Sequence, residues 1–157
     1  MSWRLERAAF NRQKGAGNKA AMRSRVKDGH TPGILLYKNG RAAGWCSVAP
    51  RQEFVALERS RVWKPVDDCP VWSISCFFVA KEHRGRGLSV KLIKSAVSYA
   101  RQQGAKIIEG YPQELTGDKL PAPFVWTGLA SAYRQAGFTE VLRRSKTKPI
   151  MRYEVGQ

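Results

Sequence analysis

The residues with the most readable chemistry are Val79-Ala80-Lys81-Glu82-His83-Arg84-Gly85-Arg86-Gly87-Leu88-Ser89. An apolar strand-like run enters a glycine-containing turn, and the turn opens an amphipathic helix. A helix N-terminus offers unpaired backbone N–H groups and the positive end of the helix dipole. Glycine there lets an anion approach the backbone closely. Arg84 and Arg86 add positive charge. The chemistry this suits is binding of a phosphate or pyrophosphate. A dinucleotide fingerprint would need GxGxxG, and Val90 stands where its third glycine belongs. The GxxxxGK[ST] phosphate loop is absent. The plainer alternative is a basic turn with two convenient glycines.

The elements that must position this turn follow from periodicity and punctuation. Val71 to Val79 is a long apolar run without strict alternation, as expected of a central strand buried on both faces. From Gly87 to Gln103, Leu88, Leu92, Ala96 and Ala100 recur every fourth residue beside Ile93 and Val97, which predicts an amphipathic helix stopped by Gly104. Upstream, residues 4–28 read as helical but interrupted at Gly15 and Gly17, with Asn18 as N-cap of a second helix over about 19–28. Residues 33–37 and 42–48 read as strands joined through Asn39-Gly40, a strong hairpin signal. A short helix is expected over 52–59 and a loop over 62–70. After the main helix come a strand over 106–111 and a loop over 112–125. A helix capped by Thr127 then runs to Gln135, and strands over 138–142 and 150–155 close the chain. The expected fold is mixed α/β: a central, mostly antiparallel sheet of about six strands with helices on both faces, in one domain over residues 1–157.

Composition narrows the functional classes. Hydrophobic residues make up 43% and charged residues 25%, which allows a packed core. No apolar run suits a membrane span, and the N-terminal residues lack the apolar core of a secretory signal, so a cytoplasmic location is expected. Cys46, Cys69 and Cys76 form no CxxC pair, and His30 and His83 are the only histidines. This argues against a structural zinc site, and no metal is expected. The net charge is +16, with basic excess in residues 1–28, 81–106 and 134–152. Such a field attracts polyanions. A phosphorylated cofactor, a nucleic acid or general basicity would each account for it, and no aromatic-interleaved nucleic-acid motif supports the second.

The 79–89 segment resembles the acetyl-CoA motif of the GNAT acetyltransferases, [RQ]-x-x-G-x-[GA]. Arg84 and Gly87 match, and Ser89 takes the place of the last small residue. Tyr133-Arg134-Gln135-Ala136-Gly137-Phe138 resembles a second element of that family, a Tyr-x-x-x-Gly-Phe helix end followed by a strand. Together the matches cover about residues 71–142. Gly44-Trp45-Cys46 and Glu109-Gly110-Tyr111-Pro112 are similar to a bacterial branch. Three departures stand out. The chain starts in helical sequence where the family has a first strand, Trp126 lies near a usual Asn, and the 112–125 loop is long.

The resemblance implies direct acetyl transfer from acetyl-CoA to an amine of a small molecule or peptide, and homodimers are common in the family. It implies that the backbone of Phe77, Phe78 and Val79 pairs with the pantetheine arm, and that an N–H near Phe78 polarises the thioester. It implies further that the N–H groups of Arg84, Gly85, Arg86, Gly87, Leu88 and Ser89 hold the pyrophosphate. Tyr133 is the expected acid toward the leaving thiolate, and packing against the sheet is its plainer role. Glu109 is the candidate base, a structural ion pair being its alternative. Glu114, Asp118 and His83 are weaker candidates. Cys76 as a nucleophile is disfavoured, having no histidine placed beside it. Trp45, Trp72 and Trp126 could line an acceptor pocket, Trp126 above the others. Two rival readings are a basic RNA-associated enzyme acting on an aminoacyl group and a CoA-binding module without catalysis.

Overall fold

The computed structural model describes residues 1–115, 117 and 125–156. Two helices open the chain, α1 (Arg7–Arg12) and α2 (Ala16–Lys27). The break between them falls at Gly15, whose φ of 70° disfavours any residue with a Cβ. Asn18 is not the expected cap. It lies inside α2, and its side-chain amide donates to the Phe10 carbonyl. No strand precedes α1 among the described residues, as expected.

Strands β1 (Ile34–Lys38) and β2 (Arg41–Pro50) form the predicted hairpin, with positive φ at both Asn39 and Gly40. A 3₁₀ turn at Arg51–Glu53 and the short α3 (Val55–Glu58) replace the single helix expected there. Next come β3 (Trp72–Val79), α4 (Leu88–Gln102) and β4 (Ile107–Gly110). The chain closes with α5 (Ala130–Gln135), β5 (Thr139–Arg143) and β6 (Pro149–Glu154). Thr127 does not cap α5. Gly128 at φ 89° and an extended Leu129 intervene, because Leu129 bridges to Gln113 before the helix can begin.

The six strands form one sheet in the order β1-β2-β3-β4-β6-β5, with only β3 and β4 parallel. Helices α4 and α5 cover one face. Leu92, Ile93, Ala96, Val97 and Ala100 of α4 pack there on Cys46, Val48, Ile74, Ile108 and Met151. Each fully buried aliphatic side chain contributes about 1.5–3 kcal/mol. The second face carries a smaller core of Phe54, Leu57, Trp63, Tyr111 and Ile150, with Trp3 against it. The N-terminal segment is tied to this face by ion pairs from Arg4 and Arg25 to Glu53. Neither α1 nor α2 contains a buried residue. Among the described residues, no helix is long and apolar enough to cross a membrane.

The expectation that β3 is buried on both faces holds for Ser73, Ile74 and Ser75 but not for its C-terminal end. Phe78 is 56% exposed, and it lies past the end of the pairing between β3 and β4.

Candidate active site

Strands β3 and β4 pair only over Trp72–Ile74 and Ile108–Gly110. Beyond that point β3 continues to Val79, while the other strand ends at Gly110 and leads into Tyr111-Pro112. The two strands therefore part, and a gap opens beside the last residues of β3. Backbone polar groups of successive strand residues point to alternate sides. The Phe77 N–H points into the gap, where it donates to the Trp126 carbonyl at 2.7 Å. Val79 turns its backbone the same way, and its carbonyl accepts from Arg84 Nε at 2.9 Å. Phe78 turns toward β2, with its carbonyl 3.1 Å from where a Cβ on Gly44 would stand. Of the three expected pantetheine contacts, Phe77 and Val79 thus face the gap and Phe78 faces its neighbour strand.

At the end of β3 the chain makes the glycine turn. Gly85 and Gly87 have φ of 71° and 70°, a region costly for other residues. Gly87 is the N-cap of α4 and supplies no side-chain cap, so the first-turn N–H groups keep no local side-chain partner. A Cβ at Gly85 or Gly87 would meet nothing within 4 Å, so the space in front of the turn is open. Arg84 and Arg86 are exposed beside it, and Leu88 and Ser89 are half-buried. Open backbone, a helix N-terminus and two guanidinium side chains fit a pyrophosphate.

Tyr133 of α5 packs between Gly110, where the two strands part, and Phe77 of β3. Its side chain is 0% exposed. Its ring lies over Gly110, where any Cβ would collide with it. Phe77 and Phe138 meet the ring edge-on at 6.0 and 5.0 Å. The hydroxyl makes a long 3.5 Å bond to the Thr127 carbonyl. Burial pushes this phenol well above its ordinary pKa, so it keeps its proton at neutral pH.

Glu109 is 1% exposed and points to the second face, away from Tyr133. Its Oε1 accepts from Arg152 Nε at 2.9 Å, and its Oε2 accepts from the Tyr111 hydroxyl at 2.8 Å and from Arg51 at 3.3 Å. Arg51 continues to Glu58 and Arg152 to Asp67, making an alternating chain of five charges. Both oxygens are committed, which favours the ion pair over the base. Arg152 draws the Asp67 carboxyl well below its ordinary range.

The remaining candidates are dispersed. Glu114 binds Arg134 and Arg143, which lower its pKa to about 2. That shift makes a prediction. The stabilisation by Glu114 is complete above its unfolded pKa near 4.5 and is lost as pH falls toward 2. Thermal melts of Glu114→Gln and the parent should therefore differ at pH 6 and converge near pH 2. Asp118 lies outside the described residues. His83 is half-buried in the turn before Arg84. Burial pushes the Cys76 thiol up to about 11, away from thiolate character. Trp72 packs edge-on to Tyr99 of α4, and Trp45 is half-buried on β2. Trp126 is exposed and stacks on Trp3 at 5.3 Å.

Sequence reasoning missed the Trp126 carbonyl and the fit of Gly110 to Tyr133. No local signal could have found either, since each joins residues far apart in the chain. The five-charge chain had a faint signal in the burial-prone strand positions of Glu109 and Arg152.

A sheet that parts beside a glycine turn at a helix N-terminus, with a buried phenol beside the parting, suits a pyrophosphate-bearing donor whose arm enters between the strands. The chain belongs to the GNAT acetyltransferase family, whose family model matches residues 3–113, and it is an acyltransferase. No curated protein matches it in sequence. Among solved structures it resembles the ribosomal-protein-alanine N-acetyltransferase of Brucella melitensis, at 17% identity and TM-score 0.54, over 88% of this chain and 76% of that one. A GNAT-family protein from Desulfovibrio desulfuricans gives 17% identity and TM-score 0.55, over 93% and 88% of the two chains. The yncA protein of Salmonella typhimurium, solved with its cofactor acetyl-CoA, gives 18% and 0.53, over 87% and 71%. At these identities the likeness is one of fold. Among the described residues, no cluster of three or more His, Cys, Asp or Glu could hold a metal ion.

Proposed function

We propose that this protein transfers an acetyl group from acetyl-CoA to a primary amine by direct attack, without an acyl-enzyme. The observation that carries the reading is the parting of β3 from β4 beside the Phe77 N–H, at the strand end that feeds the N-terminus of α4. Acetyl-CoA supplies the activated acetyl group and a thiolate leaving group. The backbone N–H groups of the turn and of the first residues of α4, Gly85 to Ser89, would hold its pyrophosphate, and the backbone of Phe77 and Val79 its pantetheine arm; the Arg84 N–H already donates to the Lys81 carbonyl. The Phe77 N–H, released from Trp126, is the donor placed to polarise the acetyl carbonyl. Tyr133 Oη is the acid that protonates the departing sulfur. An alkylamine with a pKa near ~10.4 must lose a proton before attack. The gap lies at the surface end of β3, so water can take that proton. In this reading Glu109 has a structural role, holding Arg51 and Arg152 under the sheet.

The test is calorimetric titration with acetyl-CoA, run beside Gly87→Glu. The variant sets a carboxylate in the open space before the turn and forces a positive φ that costs about 1–2 kcal/mol. Micromolar binding to the parent and at least a ~100-fold loss in the variant, near 2.7 kcal/mol, is expected. Absence of binding to the parent would sink the reading.

A further inference from the structure

The acceptor side of the gap has a composition that narrows what can bind there; the inference rests on the acetyl-transfer reading above. Register aligns Leu35, Trp45 and Phe78 side by side across β1, β2 and β3. All three lie on the second face, opposite α4. Leu35 is 55% exposed and Phe78 56%, and Tyr37, two residues along β1 on the same face, is 62% exposed. One sheet region thus shows four large apolar side chains in contiguous positions, three of them open to water. Its inner end, Phe78, is next in sequence to the N–H proposed to polarise the acetyl group.

The charge around this floor has one sign. Strands β1, β2 and β3 and helices α1 and α2 contain no acidic residue. Asp28 is the one acid between Arg7 and Gln52, and Ser24 donates to it. Glu6, Glu53, Glu58 and Glu109 are each held by an arginine, and Glu82, in the turn after β3, sits among Lys81, Arg84 and Arg86. Arg7, Arg12, Lys14, Lys19, Arg23 and Lys27 have no ion-pair partner among the described residues. Lys19, Arg23 and Lys27 recur every fourth residue and so share one stripe of α2. This helix leads into β1 through the short segment 28–33.

A polyamine or aminoglycoside needs several carboxylates free to meet its ammonium groups, and among the described residues around this floor unpaired cations outnumber unpaired carboxylates. We propose that the acceptor is a primary amine carried on an apolar or aromatic body that also bears an anion, a carboxylate or a phosphate. The apolar body lies on Leu35, Tyr37 and Phe78, and the anion is attracted by the unpaired cations of α1 and α2.

The experiment measures CoA release at saturating acetyl-CoA with five amines: phenylalanine, tyramine phosphate, 2-phenylethylamine, glycine and spermidine. At least one of the two anionic aromatic amines should exceed the other three by 10-fold or more in kcat/KM. Which of them leads assigns the anion as carboxylate or phosphate. Raising salt should erode that advantage. Leu35→Glu, at an exposed edge-strand position, should cut kcat/KM for the preferred amine at least 10-fold while the acetyl-CoA Kd stays unchanged. Preference for spermidine, no turnover of either anionic aromatic amine, or indifference to Leu35→Glu would overturn the proposal while leaving acetyl-CoA binding intact. So would a dimer that Leu35→Glu dissociates without changing the kinetics, since a second copy would then cover the row. Failure of the parent to bind acetyl-CoA would overturn both readings, and calorimetry separates that result from the rest.

Discussion

Tyr133→Phe is expected to lose turnover by about 100- to 10,000-fold while binding acetyl-CoA as the parent does. The phenol is buried, its pKa is raised by that burial, and its ring packs on Gly110 and Phe77 where the strands part. The substitution removes one oxygen and keeps the ring. Gly110 still leaves room for that ring, and Phe77 and Phe138 still meet its edges. The packing loss is therefore small, and the effect falls on kcat. The sign of the pH dependence follows from the raised pKa. The phenol stays protonated through the range in which the amine gains its reactive neutral form, so kcat/KM should rise with pH and show no alkaline fall from this group below pH 10. Steady-state kinetics from pH 6 to 10, beside calorimetry on the same samples, reads both halves. Full turnover in the variant would remove Tyr133 from the chemistry and leave it as packing.

Glu109→Gln is expected to cost about 3 kcal/mol of stability, the scale for breaking a buried ion pair. The substitution leaves the Arg51 and Arg152 guanidinium groups facing a neutral amide under the sheet. Each retains one outer carboxylate, Glu58 or Asp67, which limits the loss. Urea unfolding should show a lower midpoint at unchanged slope. The same variant separates the two roles considered for this residue. A base would leave stability near the parent's and depress kcat with an altered pH profile. The buried pair predicts the reverse, lost stability with kcat per folded molecule largely kept.

What was legible in the sequence was what local rules dictate. The fourfold spacing of Leu92, Ala96 and Ala100 placed α4 to within a residue at either end, since an amphipathic helix announces its own period. Asn39-Gly40 placed the β1–β2 hairpin because the turn demands two positive φ values. Gly87 was placed at the head of α4 for the same kind of reason. Thr127 and Asn18 misled as caps because tertiary bonds outbid the local preference. Leu129 is drawn into a bridge with Gln113, and Asn18 is already inside a helix. The side of the sheet to which Glu109 points was not legible, because it depends on where Arg51 and Arg152 arrive from distant strands.

The hydrogen bond from Phe77 to the Trp126 carbonyl has a thermodynamic consequence for the proposed chemistry. A backbone carbonyl of the protein holds the N–H that acetyl-CoA would need. In the proposed mechanism the chain would be its own competitive ligand, present at fixed effective concentration and independent of dilution. The apparent dissociation constant for acetyl-CoA would then be the intrinsic one divided by the fraction of molecules in which Trp126 has let go. A cleft released in one molecule in ten would bind tenfold more weakly than its contacts alone dictate. Any acceptor that draws Trp126 away would strengthen cofactor binding by the same factor that the cofactor strengthens its own.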